Sequence, residues 1–113
     1  SYNAANTKKR AMKANMITSN EPGLYREGKW GIRIENLVVN RVVASPTETE
    51  FGEFLHFETV TYCPIDTRLI DKSLLNQVEI DWLNKYHSQV FDELNSRVKG
   101  VALEWLTERT QAI

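Results

Sequence analysis

Residues 16–36 read MITSNEPGLYREGKWGIRIEN, and this stretch decides the fold. It opens on a short strand candidate, residues 16–20, which the breaker pair Pro22-Gly23 ends. Glu27-Gly28-Lys29 is the next turn signal. Beyond it, residues 30–43 carry Ile32, Ile34, Leu37, Val38, Val39, Val42 and Val43, and the first half alternates as a strand with one polar face does. If residues 16–21 pair antiparallel with residues 30–40 around Gly28, opposed residues have numbers that add to 56. Glu21 and Glu35 then face each other, with Cβ atoms about 4.5–5.5 Å apart. Arg33 lies two residues from Glu35 and projects from the same face.

Two like charges so placed destabilise a sheet. A shared proton, a cationic side chain or a metal ion must neutralise them. Arg33 is one answer and gives a salt-bridged surface hairpin. An acid–base or metal site is another, for which hard carboxylate oxygens suit manganese, magnesium or calcium. Spacing alone leaves both open, because two carboxylates are not a closed site. No histidine is near in sequence: His56 falls in the third strand candidate and His87 in a helical pattern, and both read as structural. Cys63, the one cysteine, reads as a buried thiol with no catalytic partner, and it excludes an intrachain disulfide.

Outward from the hairpin, SPTETEFGE is loop chemistry, and residues 54–63 make the third strand, rich in aromatic and β-branched side chains and closed by Pro64. After Pro64 the period changes. Residues 66–75 suit turns or a short helix. Over residues 77–98, Ile80, Leu83, Tyr86, Val90, Phe91, Leu94 and Val98 fall on one helical face. Asn76 suits the N-cap, with Glu79 at the capping-box position, and Gly100 suits the helix stop. A last helix over residues 101–109 buries Leu103, Trp105 or Leu106, depending on its facing. The fold class is therefore α+β: an antiparallel sheet in residues 1–65 followed by helices in residues 66–113.

Composition bounds the function. At 113 residues, 42% hydrophobic and 26% charged, the chain has one domain's worth of globular protein and is too apolar for disorder. A net charge of -1 gives no electrostatic reason to expect nucleic acid or an anionic membrane as the main partner. No apolar run approaches the roughly 18 residues of a membrane-spanning helix. The single cysteine fits a reducing, cytoplasmic setting. Lys8, Lys9, Arg10 and Lys13 make a basic opening, read as a solvated connector rather than a nucleic-acid arm because no aromatic residue interleaves with the charges. The Ser1 start suggests a cut inside a longer protein or a vector remnant.

Residues 16–25, together with Gly31-Ile32-Arg33-Ile34-Glu35-Asn36, closely resemble the end of the metal site in the Xaa-Pro aminopeptidases, which share the pita-bread fold with prolidase, creatinase and methionine aminopeptidase. The similarity runs on through Phe57-Glu58-Thr59-Val60-Thr61, Thr67-Arg68-Leu69-Ile70-Asp71, Asp81-Trp82-Leu83-Asn84-Lys85-Tyr86-His87 and Ala102-Leu103-Glu104-Trp105-Leu106, which look like the C-terminal extension of the long-form enzymes. The resemblance implies a pita-bread sheet, a pair of divalent ions (commonly manganese), a peptide substrate with proline second, release of its N-terminal residue, and a homodimer. It implies that Glu21 binds one metal and relays a proton, that Glu35 bridges both metals, and that Arg33 holds a metal-binding aspartate.

The departures from the family pattern matter as much. Nothing here matches the family's two aspartate ligands, its ligand histidine or its substrate-positioning histidines. Lys13-Ala14-Asn15-Met16 stands where the family has K-P-G-M, and asparagine is the next best residue to glycine at a left-handed turn. The expectation is a C-terminal piece of such an enzyme, inactive and metal-free by itself, with a structural tail carrying Trp82, Leu83, Trp105 and Leu106. The alternatives are a pita-bread module that has lost catalysis, against which both retained carboxylates argue, and a self-standing interaction domain built on the helical tail.

Overall fold

The computed structural model describes residues 11–44, 50 and 52–113, and the chain divides between Thr61 and Tyr62 into two compact units. The first holds strands β1 (Ile17–Asn20), β2 (Gly23–Arg26), β3 (Trp30–Arg33), β4 (Asn36–Val42) and β5 (Leu55–Thr59). They form a three-stranded antiparallel sheet in the order β1-β4-β5 and a two-stranded hairpin, β2-β3. Lys8, Lys9, Arg10 and, in the loop between β4 and β5, residues 45–49 and 51 lie outside the described residues.

One register runs through both sheets. Ile17 opposes Val39 and Asn20 opposes Asn36 in the first ladder; Gly23 opposes Arg33 and Arg26 opposes Trp30 in the second, and every pair adds to 56. The expected continuous strand over residues 30–43 is nonetheless two strands, interrupted at Ile34 and Glu35, and the partner strand resumes at Gly23 instead of ending there. The cause is Pro22, which has no N–H to offer the ladder. Across the break one bond remains among the described residues, from the Ile34 N–H to the Pro22 carbonyl at 3.3 Å. β5 is shorter than the expected 54–63. Beyond it the Leu37 N–H donates to Oγ1 of Thr61 at 2.8 Å, so a side chain takes over the role of the ladder.

Val38, Val39 and Asn40 of β4 are buried. Asn40 is a polar residue at a core position because it holds the turn before β1. Its Nδ2 donates to the Lys13 carbonyl at 3.0 Å, and its own carbonyl accepts the Asn15 N–H at 2.8 Å. Within that turn the Met16 N–H donates to the Lys13 carbonyl at 3.2 Å, and Asn15 has φ +66°. The left-handed conformation expected at Asn15 is present.

The second unit begins with two 3₁₀ turns, Thr67–Leu69 and Lys72–Leu74, capped by the carboxylates of Asp66 and Asp71. Asp66 also grips the Arg68 side chain, and these hydrogen bonds hold its carboxyl far below the usual carboxylate range. Helices α1 (Gln77–Leu94) and α2 (Val101–Arg109) follow. The capping box is complete: Asn76 Oδ1 accepts the Glu79 N–H and Glu79 Oε2 accepts the Asn76 N–H, both at 2.9 Å. α1 stops short of the expected residue 98, where the Asn95 side chain turns back onto the Phe91 carbonyl at 2.8 Å and competes with the helical ladder. Tyr86, Val90 and Leu106 form the core, with Ile65, Phe91, Leu94 and Val98 packed against them. Trp82 and Trp105 stand at its edge, 50% and 49% exposed. Leu106 takes the inward position of α2, and Trp82 stacks on Tyr86 with ring centroids 5.5 Å apart.

Candidate metal centre

The register decides which side chains meet. Residues Gly23, Tyr25, Gly31 and Arg33 share one face of the hairpin, and Glu21 and Glu35 flank its open end. Arg33 Nη2 lies 3.2 Å from Glu35 Oε2, and Arg33 Nη1 lies 3.9 Å from Glu21 Oε2. Glu21 also accepts a hydrogen bond from the Ser19 hydroxyl at 3.0 Å. The structure therefore brings Glu21, Arg33 and Glu35 together on one side, with Arg33 between the two charges. All three side chains are half exposed, so solvent screens each ion pair and leaves little net stabilisation. The arrangement orients two carboxylates more than it stabilises the sheet.

Sequence reasoning missed Tyr25. Its ring lies across Gly31, its cross-strand partner, and back over Gly23; a Cβ at either glycine would overlap the ring. The Tyr25 side chain hydrogen-bonds Arg33, and this contact, followed by the charges of Glu35 and Glu21, raises the guanidinium pKa. The available signal was a tyrosine opposite a glycine in the 56 register, an arrangement in which an aromatic ring covers exposed backbone.

The other candidates fall elsewhere. His56 is exposed on β5, opposite Arg41. His87 is fully buried in α1, where its Nε2 accepts the Ile65 N–H at 3.0 Å. Cys63 is exposed and not buried as expected: the Tyr86 hydroxyl holds its main chain, donating to its carbonyl at 2.9 Å, and the thiol is left outside. Among the described residues no three ligand-type side chains converge on one point. Two carboxylates on one side are the right donor type for a hard divalent cation, but they make only part of a cage.

An antiparallel sheet ending in paired carboxylates, followed by capped helices, is the architecture of the C-terminal part of a pita-bread metallopeptidase. Residues 1–41 match the family described as metallopeptidase family M24, and residues 53–113 match the C-terminal region of peptidase M24. The chain belongs to this family. It is similar to a probable Xaa-Pro aminopeptidase P of Laccaria bicolor, 48% identical over 97 residues that make up 84% of this chain and 15% of the relative. It is also similar to aminopeptidase P2 of Arabidopsis thaliana, 40% identical over 99 residues, 87% of this chain and 14% of the relative. Its fold is similar to the crystal structure of an X-prolyl aminopeptidase from Caenorhabditis elegans, a cytosolic enzyme with a di-nuclear active site. The TM-score is 0.77 at 37% identity, covering 90% of this chain and 17% of that one. The chain thus spans about a sixth of the length of the relatives it matches.

Proposed function

We propose that this chain is the C-terminal part of an Xaa-Pro aminopeptidase that removes the N-terminal residue from peptides with proline second. In this reading residues 1–65 complete the catalytic domain and residues 66–113 form its helical extension. Glu21 and Glu35 hold two divalent ions, manganese in the parent, and Arg33 keeps both carboxylates turned to the same side. Glu21, one oxygen of which accepts the Ser19 hydroxyl, relays a proton in this reading. The chemistry the ions supply when bound is polarisation of the scissile carbonyl and a nucleophile available at neutral pH. The parent works in the cytoplasm as a homodimer, and this chain by itself neither holds metal nor turns over.

The observation that carries the reading is the match of the chain to both parts of metallopeptidase family M24, with Glu21 and Glu35 both kept and brought to one side. A pita-bread module that had lost catalysis would have no need to keep both charges. The test is hydrolysis of a proline-second peptide and of its alanine-second analogue by the manganese-loaded parent. Wild type should release the N-terminal residue of the proline peptide, and Glu21→Gln or Glu35→Gln should lower turnover by at least about a hundredfold with loss of bound manganese. Full metal loading with no turnover of either peptide would establish the non-catalytic reading instead.

A further inference from the structure

α1 presents Tyr86 and His87 to the extended residues that open the second unit. The Tyr86 hydroxyl donates to the Cys63 carbonyl at 2.9 Å and receives the Cys63 N–H at 3.4 Å. His87 Nε2 accepts the Ile65 N–H at 3.0 Å. Pro64 between them has no N–H, so both amide protons of residues 63–65 end on side chains of α1. Ile65 in turn packs against the Tyr86, Val90 and Leu106 core.

This bond fixes the state of the ring. A backbone N–H can only donate, so Nε2 must be an acceptor, and the neutral imidazole carries its proton on Nδ1. Nδ1 is buried, faces the main chain at Gln111 and makes no well-formed hydrogen bond. We propose that His87 is an acid-released latch: protonation of its ring breaks the Ile65 hydrogen bond and frees residues 63–65 from α1.

Protonation would set a second N–H directly against that of Ile65, donor to donor. It would also place a charge at a fully buried position. The ring's titratable neighbour is the phenol of Tyr86, ring centroids 6.0 Å apart, with the main chain of Ile65 and Gln111 against the imidazole. Among the described residues no carboxylate is a cause of the shift at the ring. Burial accordingly pushes its pKa below 6.5, only partly offset by the main chain of Gln111. The sign follows. The opened segment takes up the proton more readily than the closed one. The latch is therefore whole above the open-state pKa and weakens as pH falls from there toward the closed-state value. One proton taken up shifts opening by up to about tenfold per pH unit in that window.

Amide hydrogen exchange of the chain, read by NMR as protection factors at about pH 7 and about pH 5, tests this. Ile65 should lose at least about tenfold in protection relative to Val90. In His87→Gln, whose amide oxygen can accept the same N–H without titrating, the protection of Ile65 should stay level. Nitrogen shifts of the wild-type ring supply a measurement that needs no variant: the Nδ1–H tautomer should be present at neutral pH and disappear at the midpoint where Ile65 loses protection. A ring that titrates while Ile65 stays protected would overturn the latch. So would equal loss in His87→Gln, or loss at Ile65 and Val90 together.

Discussion

Glu21 and Glu35 oppose each other in the gap between two ladders of a single register, and Arg33 reaches both. The gap exists because Pro22 cannot donate, and it leaves two acidic side chains at the end of a hairpin whose backbone no longer holds them flat. A regular ladder there would set like charges in direct opposition with nothing between them. The broken one lets a guanidinium enter from the next pair along, Gly23 and Arg33. Tyr25, lying over Gly23 and Gly31, supports that guanidinium from the same face.

The first prediction concerns Gly31. An alanine there would put its Cβ inside the Tyr25 ring. Gly31→Ala should destabilise the hairpin by about 1–3 kcal/mol, since the ring must move. In a Tyr25→Ala background the same substitution should cost far less, because its obstacle is gone. Urea unfolding followed at the hairpin amides measures both; equal costs in the two backgrounds would dismiss the ring as the cause.

Asn15 is the second case. At φ +66° an alanine should cost on the order of 1–2 kcal/mol, whereas a glycine should fit without steric strain. The Asn15 side chain also accepts a hydrogen bond from Arg41 at 3.1 Å on an exposed surface, so Asn15→Gly should lose only a few tenths of a kcal/mol. Chemical denaturation of both variants reads the difference. If alanine and glycine behaved alike, the left-handed turn would not be what selects asparagine.

Two adjacent residues in α2 give the third. Leu106 is buried and Trp105 half exposed. Leu106→Ala should cost about 2–5 kcal/mol through the cavity it leaves, and Trp105→Ala, despite the larger side chain removed, about 1–2 kcal/mol. Thermal melting of the chain checks the order; the reverse order would mean that the indole is covered in solution.

The parts legible in the sequence were those set by local chemistry. A turn centred on Gly28 and a period of two fix the register, and the register alone pairs Glu21 with Glu35. The Asn76–Glu79 box and the left-handed Asn15 are equally local. What escaped depends on partners distant in the chain. The break at Ile34 is imposed across the hairpin by Pro22, not by Ile34 itself. Leu106 rather than Trp105 faces inward because Tyr86 and Val90 already define the core. Cys63 is exposed because Tyr86, far along the chain, holds its main chain. The acidic pair left both a salt bridge and a metal site open. The match of both motifs to a known family, not their spacing, pointed to metal.

The fourth prediction concerns metal in this chain alone. Tight binding of a hard divalent ion needs several oxygen ligands converging in a preformed cage, with neighbours that orient them. Among the described residues Glu21 and Glu35 are the two carboxylates brought to one side, and no three ligand-type groups converge. Arg33 already sits between them, so a cation entering there must displace a guanidinium that both carboxylates and Tyr25 hold. Calorimetric titration with manganese should give a dissociation constant no tighter than about 1 mM, near 4 kcal/mol of binding free energy. Arg33→Ala should change this in a definite direction: with the competing cation gone, the bare pair should bind manganese more tightly than wild type, though without turnover. Micromolar binding by the unaltered chain, together with hydrolysis of a proline-second peptide, would show that the chain completes its own site and would reject its reading as part of a larger metal centre.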